Sequence, residues 1–173
     1  SPGTAAVAAG PGHGNGVFVV LSVGAESLAR PGGRLVVADG RAEAVRTETG
    51  ISEWRRLADA GDLSGVTCRH PLHGRGYDFE VPVLGAGFVE SDSGTGFVHI
   101  APGHGADDWE LGVKNGLPVP ETVGGVGLFV AGVPLFACDP VDKVDPKVVA
   151  AVAADGRAPK GARVGTRRGP VRR

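Results

Sequence analysis

The sequence predicts a mainly β fold with peripheral helices, most simply a closed β-barrel. Short runs of valine and other strand formers recur between turn signals. Thirty glycines and 13 prolines in 173 residues supply those turns, while an apolar fraction of 42 % is enough to build a core. Only three or four stretches carry helical start and stop signals, which places the helices around the barrel rather than inside it.

Residues 1–16, "SPGTAAVAAGPGHGNG", are low in complexity and predict no firm element. Residues 17–23, "VFVVLSV", form a continuous apolar run and predict a buried strand. A turn at "PGG" leads to a short strand over 35–38. Helices are expected over 40–49 and 52–60, the second with Ser52 as its N-cap. Strands follow at 66–69, 77–83 and 88–90. Alternation in "YDFEVPV" puts Tyr77, Phe79, Val81 and Val83 on one face, and Pro82 predicts an edge or a bulge. A strand over 96–101 ends at Pro102, and "ADDWELGVKNG" predicts a helix stopped by Gly116. Two short β-like segments are expected around 132–134. A last helix over 145–156 has Asp145 at its cap and Pro146 in its first turn.

The formal net charge of −1 gives the chain as a whole no polyanion-binding signature. The exception is residues 157–173, with seven Lys/Arg and no acid: either a solvated tail or a phosphate-binding arm. Domain limits of 1–16, 17–156 and 157–173 follow from these composition shifts. Cys68 and Cys138 are far apart and unpaired in pattern, which predicts a reduced, cytoplasmic protein. No apolar run reaches the length of a membrane span, and a start at Ser1 rather than Met predicts a piece of a longer chain.

Chemistry is concentrated in residues 93–116, "SGTGFVHIAPGHGADDWELGVKNG", with two histidines, two adjacent aspartates and six glycines. In a strand, Phe97, His99 and Ala101 share one face. "GHG" is a turn that can bring backbone close to a ligand. Asp107 then reads as the helix N-cap, Asp108 as a first-turn acid, and Trp109 and Val113 as the apolar face. The residues themselves leave two readings open for His99, His104 and Asp108: packing and capping, or a rim where a carboxylate anchors an ammonium group. Cys68, His70 and His73 lack a matched fourth ligand, and a strand-end turn explains them better than zinc. There is no phosphate-binding G-x-x-x-x-G-K-[ST] loop and no G-x-S-x-G elbow.

The stretch "GTGFVHIAPGHGADDWELGVKNGL" closely resembles the signature of the editing domain of isoleucyl-tRNA synthetases, G-T-G-x-V-H-x-A-P-G-H-G-x-D-D. The valyl and leucyl relatives usually carry P-A-H where this chain has Pro102, Gly103 and His104. "RPGGRLVVADGRAEAV", "VTCRHPLHGRGYDFEVPVL" and "GLFVAGVPLFA" resemble flanking parts of the same domain, so the likeness spans residues 17–137. It implies a closed barrel that hydrolyses valine wrongly esterified to isoleucine tRNA. It implies Asp108 as the holder of the substrate ammonium and His99 as the residue shaping the pocket. Thr95, Gly103 and His104 are implied as substrate-binding positions. The implied partners are a tRNA acceptor end and the rest of a synthetase, with no metal, cofactor, membrane or DNA. The family's threonine-rich segment, T-T-T-P-W-T, would fall at or before residues 1–10, where Pro2 and Thr4 match its end. The reading that stands beside hydrolysis is therefore a catalytically inactive fragment that grips tRNA.

Overall fold

The computed structural model describes residues 5–9, 18–24, 32–61, 63, 65–89 and 94–154. Among these residues, seven strands and three α-helices follow in chain order: β1 (Ala6–Ala9), β2 (Phe18–Val23), β3 (Arg34–Ala38), α1 (Ala42–Thr49), β4 (Trp54–Asp59), β5 (Thr67–Arg69), β6 (Glu80–Gly85), β7 (Phe97–Ile100), α2 (Ala106–Lys114) and α3 (Asp145–Ala154). The basic segment 157–173 and Glu90 lie outside the described residues.

The strands do not close into a barrel. They form an open four-stranded sheet, β5-β6-β1-β7, and an open three-stranded sheet, β3-β2-β4. The four-stranded sheet is mixed, because β1 runs parallel to β6 and antiparallel to β7. Closure would require the edges β5 and β7 to find partners. Instead β7 ends where Pro102, which has no N–H to donate, begins the turn into α2. Between the sheets, the described strand ends meet where the Ala38 N–H donates to the Thr95 carbonyl at 2.9 Å.

The segment expected to hold no firm element supplies one of the two inner strands of the larger sheet. β1 is "AVAA", and Ala6 and Ala8 are fully buried. Small side chains let β6, β7 and α2 close over it, with Ile100, Ala86, Val89 and Leu111 forming that core. A second core gathers Leu72, Tyr77, Phe129, Val133, Phe136 and Val144 beneath α3. The third, Leu21, Val37 and Val45, holds α1 against the three-stranded sheet.

Four further expectations are corrected. The helix expected over 52–60 is strand β4, paired antiparallel to β2 through Val23↔Trp54 and Val19↔Asp59. The backbone bonds offered by β2 override the weak helical spacing of Trp54 and Leu57, and Leu57 stays exposed. Phe88 lies in a turn and Val89 joins no strand, although Val89 is buried. Residues 131–138 are turns, in which Leu135 and Cys138 take positive φ. The only β pairing nearby consists of the isolated bridges Val123↔Phe129 and Leu128↔Pro140. Finally, Pro82 lies in an interior strand without a bulge. The neighbouring Val83 N–H donates to Val66 O at 2.8 Å on the β5 side. Alternation therefore turns the Pro82 nitrogen toward β1, where the parallel ladder starts only at Val7↔Val83.

Candidate functional site

The strand–turn–helix unit β7–α2 places most of the candidate side chains. After Ile100 the chain reverses, and the His104 N–H donates to the Ala101 carbonyl at 2.9 Å. Helix α2 then starts at Ala106, with the extended Gly105 in the capping position and no side-chain cap. Asp107, expected as the cap, is instead an exposed first-turn residue. The side chain that closes this junction is Asp108, whose Oδ2 accepts the Ala101 N–H at 2.8 Å. Strand end and helix start are thereby fastened across seven residues. Both carboxylates sit in the first turn, where the helix dipole favours negative charge.

The apolar face expected from Trp109 and Val113 is also turned outward. Both are more than half exposed, and Leu111 and Gly112 face the core instead. A side chain at Gly112 would meet Pro102 Cγ at 2.8 Å, so the glycine sets how closely α2 lies against its own turn.

His99 lies on the edge strand opposite Val7 and retains solvent contact. Partial burial lowers its pKa below the ordinary histidine value, while the Asp108 carboxylate pulls it the other way. His99 and Asp108 thus belong to one electrostatic neighbourhood. Thr95 does not join them. It lies at the far end of β7, and four strand residues at roughly 3.3 Å each separate it from the α2 junction. What Thr95 contributes is its carbonyl, bonded to Ala38, while Arg41 Nε donates to Gly94 O at 2.9 Å. Gly96, which follows Thr95, has φ +82°, and a Cβ there would fall 2.5 Å from the Ala38 Cβ. The G-T-G stretch is the joint between the two sheets.

Gly103 and His104 open onto a cleft of about 320 Å³, walled by Pro120, Glu121 and Thr122. The same three residues border a larger, mostly apolar cleft of about 570 Å³, which Ala5, Tyr77 and Phe79 also line. Asp108, His99 and Thr95 line neither cleft. At the shared wall, His104 Nε2 lies 2.9 Å from Thr122 Oγ1. Thr122 is buried and belongs to no motif in the sequence; only the return of residues 118–123 across the turn brings it here.

Among the described residues, no group of three or more His, Cys, Asp or Glu side chains is placed to hold a metal. His70 of the Cys68–His73 set is buried, accepts the Leu72 N–H at Nδ1 (3.1 Å) and stacks on Tyr77 at 4.7 Å. His73 lies 3.4 Å from Asp78.

Residues 37–127, more than half of the chain, match the family model described as "Leucyl-tRNA synthetase, editing domain". The chain belongs to the editing-domain family of the leucyl- and isoleucyl-tRNA synthetases. The editing domain is 41 % identical over 149 residues to an isoleucine–tRNA ligase of Gluconobacter oxydans, covering 81 % of this chain and 16 % of that protein. It is 41 % identical over 115 residues to the isoleucine–tRNA ligase of Caulobacter vibrioides, covering 65 % of this chain and 12 % of the relative. It therefore spans about a sixth or less of the length of these relatives. Among solved structures, "The crystal structure of GlLeuRS-CP1" is similar at a TM-score of 0.48 and 17 % identity, over 88 % of this chain and 62 % of that one. That likeness is too loose to add to the assignment.

Proposed function

We propose that this editing domain hydrolyses the ester of a misacylated tRNA, with valine on isoleucine tRNA as its substrate, working as part of a synthetase. The carrying observation is the Asp108 carboxylate, held by the Ala101 N–H through one oxygen and seated beside His99. Its second oxygen is left to accept the α-ammonium of an esterified amino acid, a charge-assisted contact that a free tRNA end cannot make. His99, with its pKa below the ordinary value, is neutral at pH 7 and can accept or donate a hydrogen bond beside that group.

The ester is intrinsically labile, and fixing it beside a water supplies much of the rate. The water oxygen adds to the ester carbonyl carbon, and the bond from that carbon to the ribose oxygen breaks. The ribose oxygen takes up the proton the water gives up, releasing free valine and deacylated tRNA. Discrimination follows double-sieve logic, for which the isoleucyl enzyme is itself the reference case: one methylene separates valine from isoleucine too weakly for a single binding step.

The test is deacylation of Val-tRNA(Ile) by the full chain, with Ile-tRNA(Ile) as the spared control. Replacing Asp108 with alanine is expected to slow hydrolysis by about 30-fold or more, as for a lost charge-assisted bond. Undiminished activity in Asp108→Ala would falsify the assignment. Tight tRNA binding without any hydrolysis would instead favour a catalytically inactive domain that grips the acceptor end.

A further inference from the structure

We propose that Thr122 is a positioning residue of this site, holding the His104 imidazole at the wall shared by the two clefts. The inference rests on the hydrolase reading above and extends it to a residue outside every motif. A buried hydroxyl requires a hydrogen-bond partner. Thr122 is only 7 % exposed, and its Oγ1 finds His104 Nε2 at 2.9 Å. The backbone on both sides of this bond is fixed. The His104 N–H is bonded to Ala101 O, and the Thr122 carbonyl accepts the Val130 N–H at 3.1 Å. A Cβ at Gly103 would lie 3.4 Å from Pro120 O, so the turn and the crossing segment are close neighbours.

With Nε2 engaged by Thr122, Nδ1 is the ring nitrogen free of protein partners among the described residues. His104 borders the smaller cleft, so a ligand there meets an imidazole whose orientation Thr122 has already set. The chemistry that suits an imidazole fixed in this way is a hydrogen bond to an oxygen of the aminoacyl ester or its ribose. Two acids face this region: Glu121 on the crossing segment, which lines the cleft, and Asp108 on α2, whose carboxylate lies beside Gly105.

Three variants of the full chain decide the matter: Thr122→Val, Thr122→Ser and Asp108→Ala, each assayed on Val-tRNA(Ile). Thr122→Val keeps the shape and removes the hydroxyl. It is expected to lower kcat about three- to tenfold, the scale of one neutral hydrogen bond, with KM little changed. Thr122→Ser, which restores the hydroxyl, is expected to recover kcat to within about twofold of the parent. In ¹⁵N-histidine spectra the chain has five histidines to resolve, and the His104 ring signals should move in Thr122→Val and return in Thr122→Ser. Parental kcat in Thr122→Val, in a series where Asp108→Ala is impaired, overturns the proposal. Equal loss in the valine and serine variants overturns it too, because packing alone would then explain the effect. If Asp108→Ala is unimpaired the hydrolase reading falls, and the catalytic role of Thr122 with it. Unmoved His104 signals in Thr122→Val would remove the bond itself, which separates the two failures.

Discussion

Tyr77 is the chain's single tyrosine, and its hydroxyl donates to the Pro134 carbonyl at 2.8 Å from a buried position. Burial pushes its pKa up to about 12, against an ordinary value of 10.0. The folded chain then keeps a proton that the unfolded chain releases first. Its stabilising contribution is complete below pH 10 and is lost as pH rises through 12. Phenolate absorbance of the native protein should accordingly show its midpoint near 12, and a midpoint near 10 would mean that the ring is not buried as described. At this scale the sequence was legible for residue types and misleading for their duties. It singled out both aspartates, but not that Asp108 would tie strand to helix while Asp107 stands exposed. An N-cap assignment depends on one or two residues of helix start, which spacing does not fix. Thr122 was illegible for another reason, since its partner His104 lies 18 positions away.

Elements announced by uninterrupted apolar runs or by capping chemistry appear where their signals stand: β2, β3, α1, β7, α2 and α3. β4 and β1 do not follow the same logic. β4 carries Arg55, Arg56 and an exposed Leu57 on an edge, so no alternating burial marks it. Its strand state comes from β2, along with Arg56 bridging to Asp39 at 2.9 Å. β1 is nearly all alanine, a poor strand former, and is extended because β6 and β7 pair with it on both sides. The G-T-G joint allows a sharper test. Gly96→Ala places a side chain at positive φ and against the Ala38 Cβ, and should cost roughly 2 kcal/mol or more in denaturant unfolding. Adding Ala38→Gly should recover the steric part and leave the backbone part. Full stability in Gly96→Ala alone would show that the sheets do not meet there.

The two sheets differ in how they are held. The four-stranded sheet packs α2 against one core, and a separate aromatic core lies beneath α3. The three-stranded sheet rests on a cluster of three buried residues, Leu21, Val37 and Val45, among those described, and its strand β4 is exposed along most of its length. Local opening should therefore be easier there, and amides of β3 and β4 should exchange with solvent faster than those of β1 and β6. Equal protection would imply a single cooperative unit. This division is also why a closed barrel was the wrong expectation. Strand content and turn frequency were readable, whereas closure depends on edge pairings that no local pattern encodes.

The position of β1 has a consequence for how the molecule is made. Its partners are Val83 to Gly85 on one side and Phe97 to Ile100 on the other. A ribosome adding about 5–20 residues per second leaves that strand unpaired for roughly 5–20 s before both neighbours have been synthesised. Over the same interval β2, β3 and β4, all encoded between residues 18 and 59, can pair with one another. Of the seven strands described, β1 is translated earliest and yet is among the last to be paired, and the sheet that bears His99 waits for it.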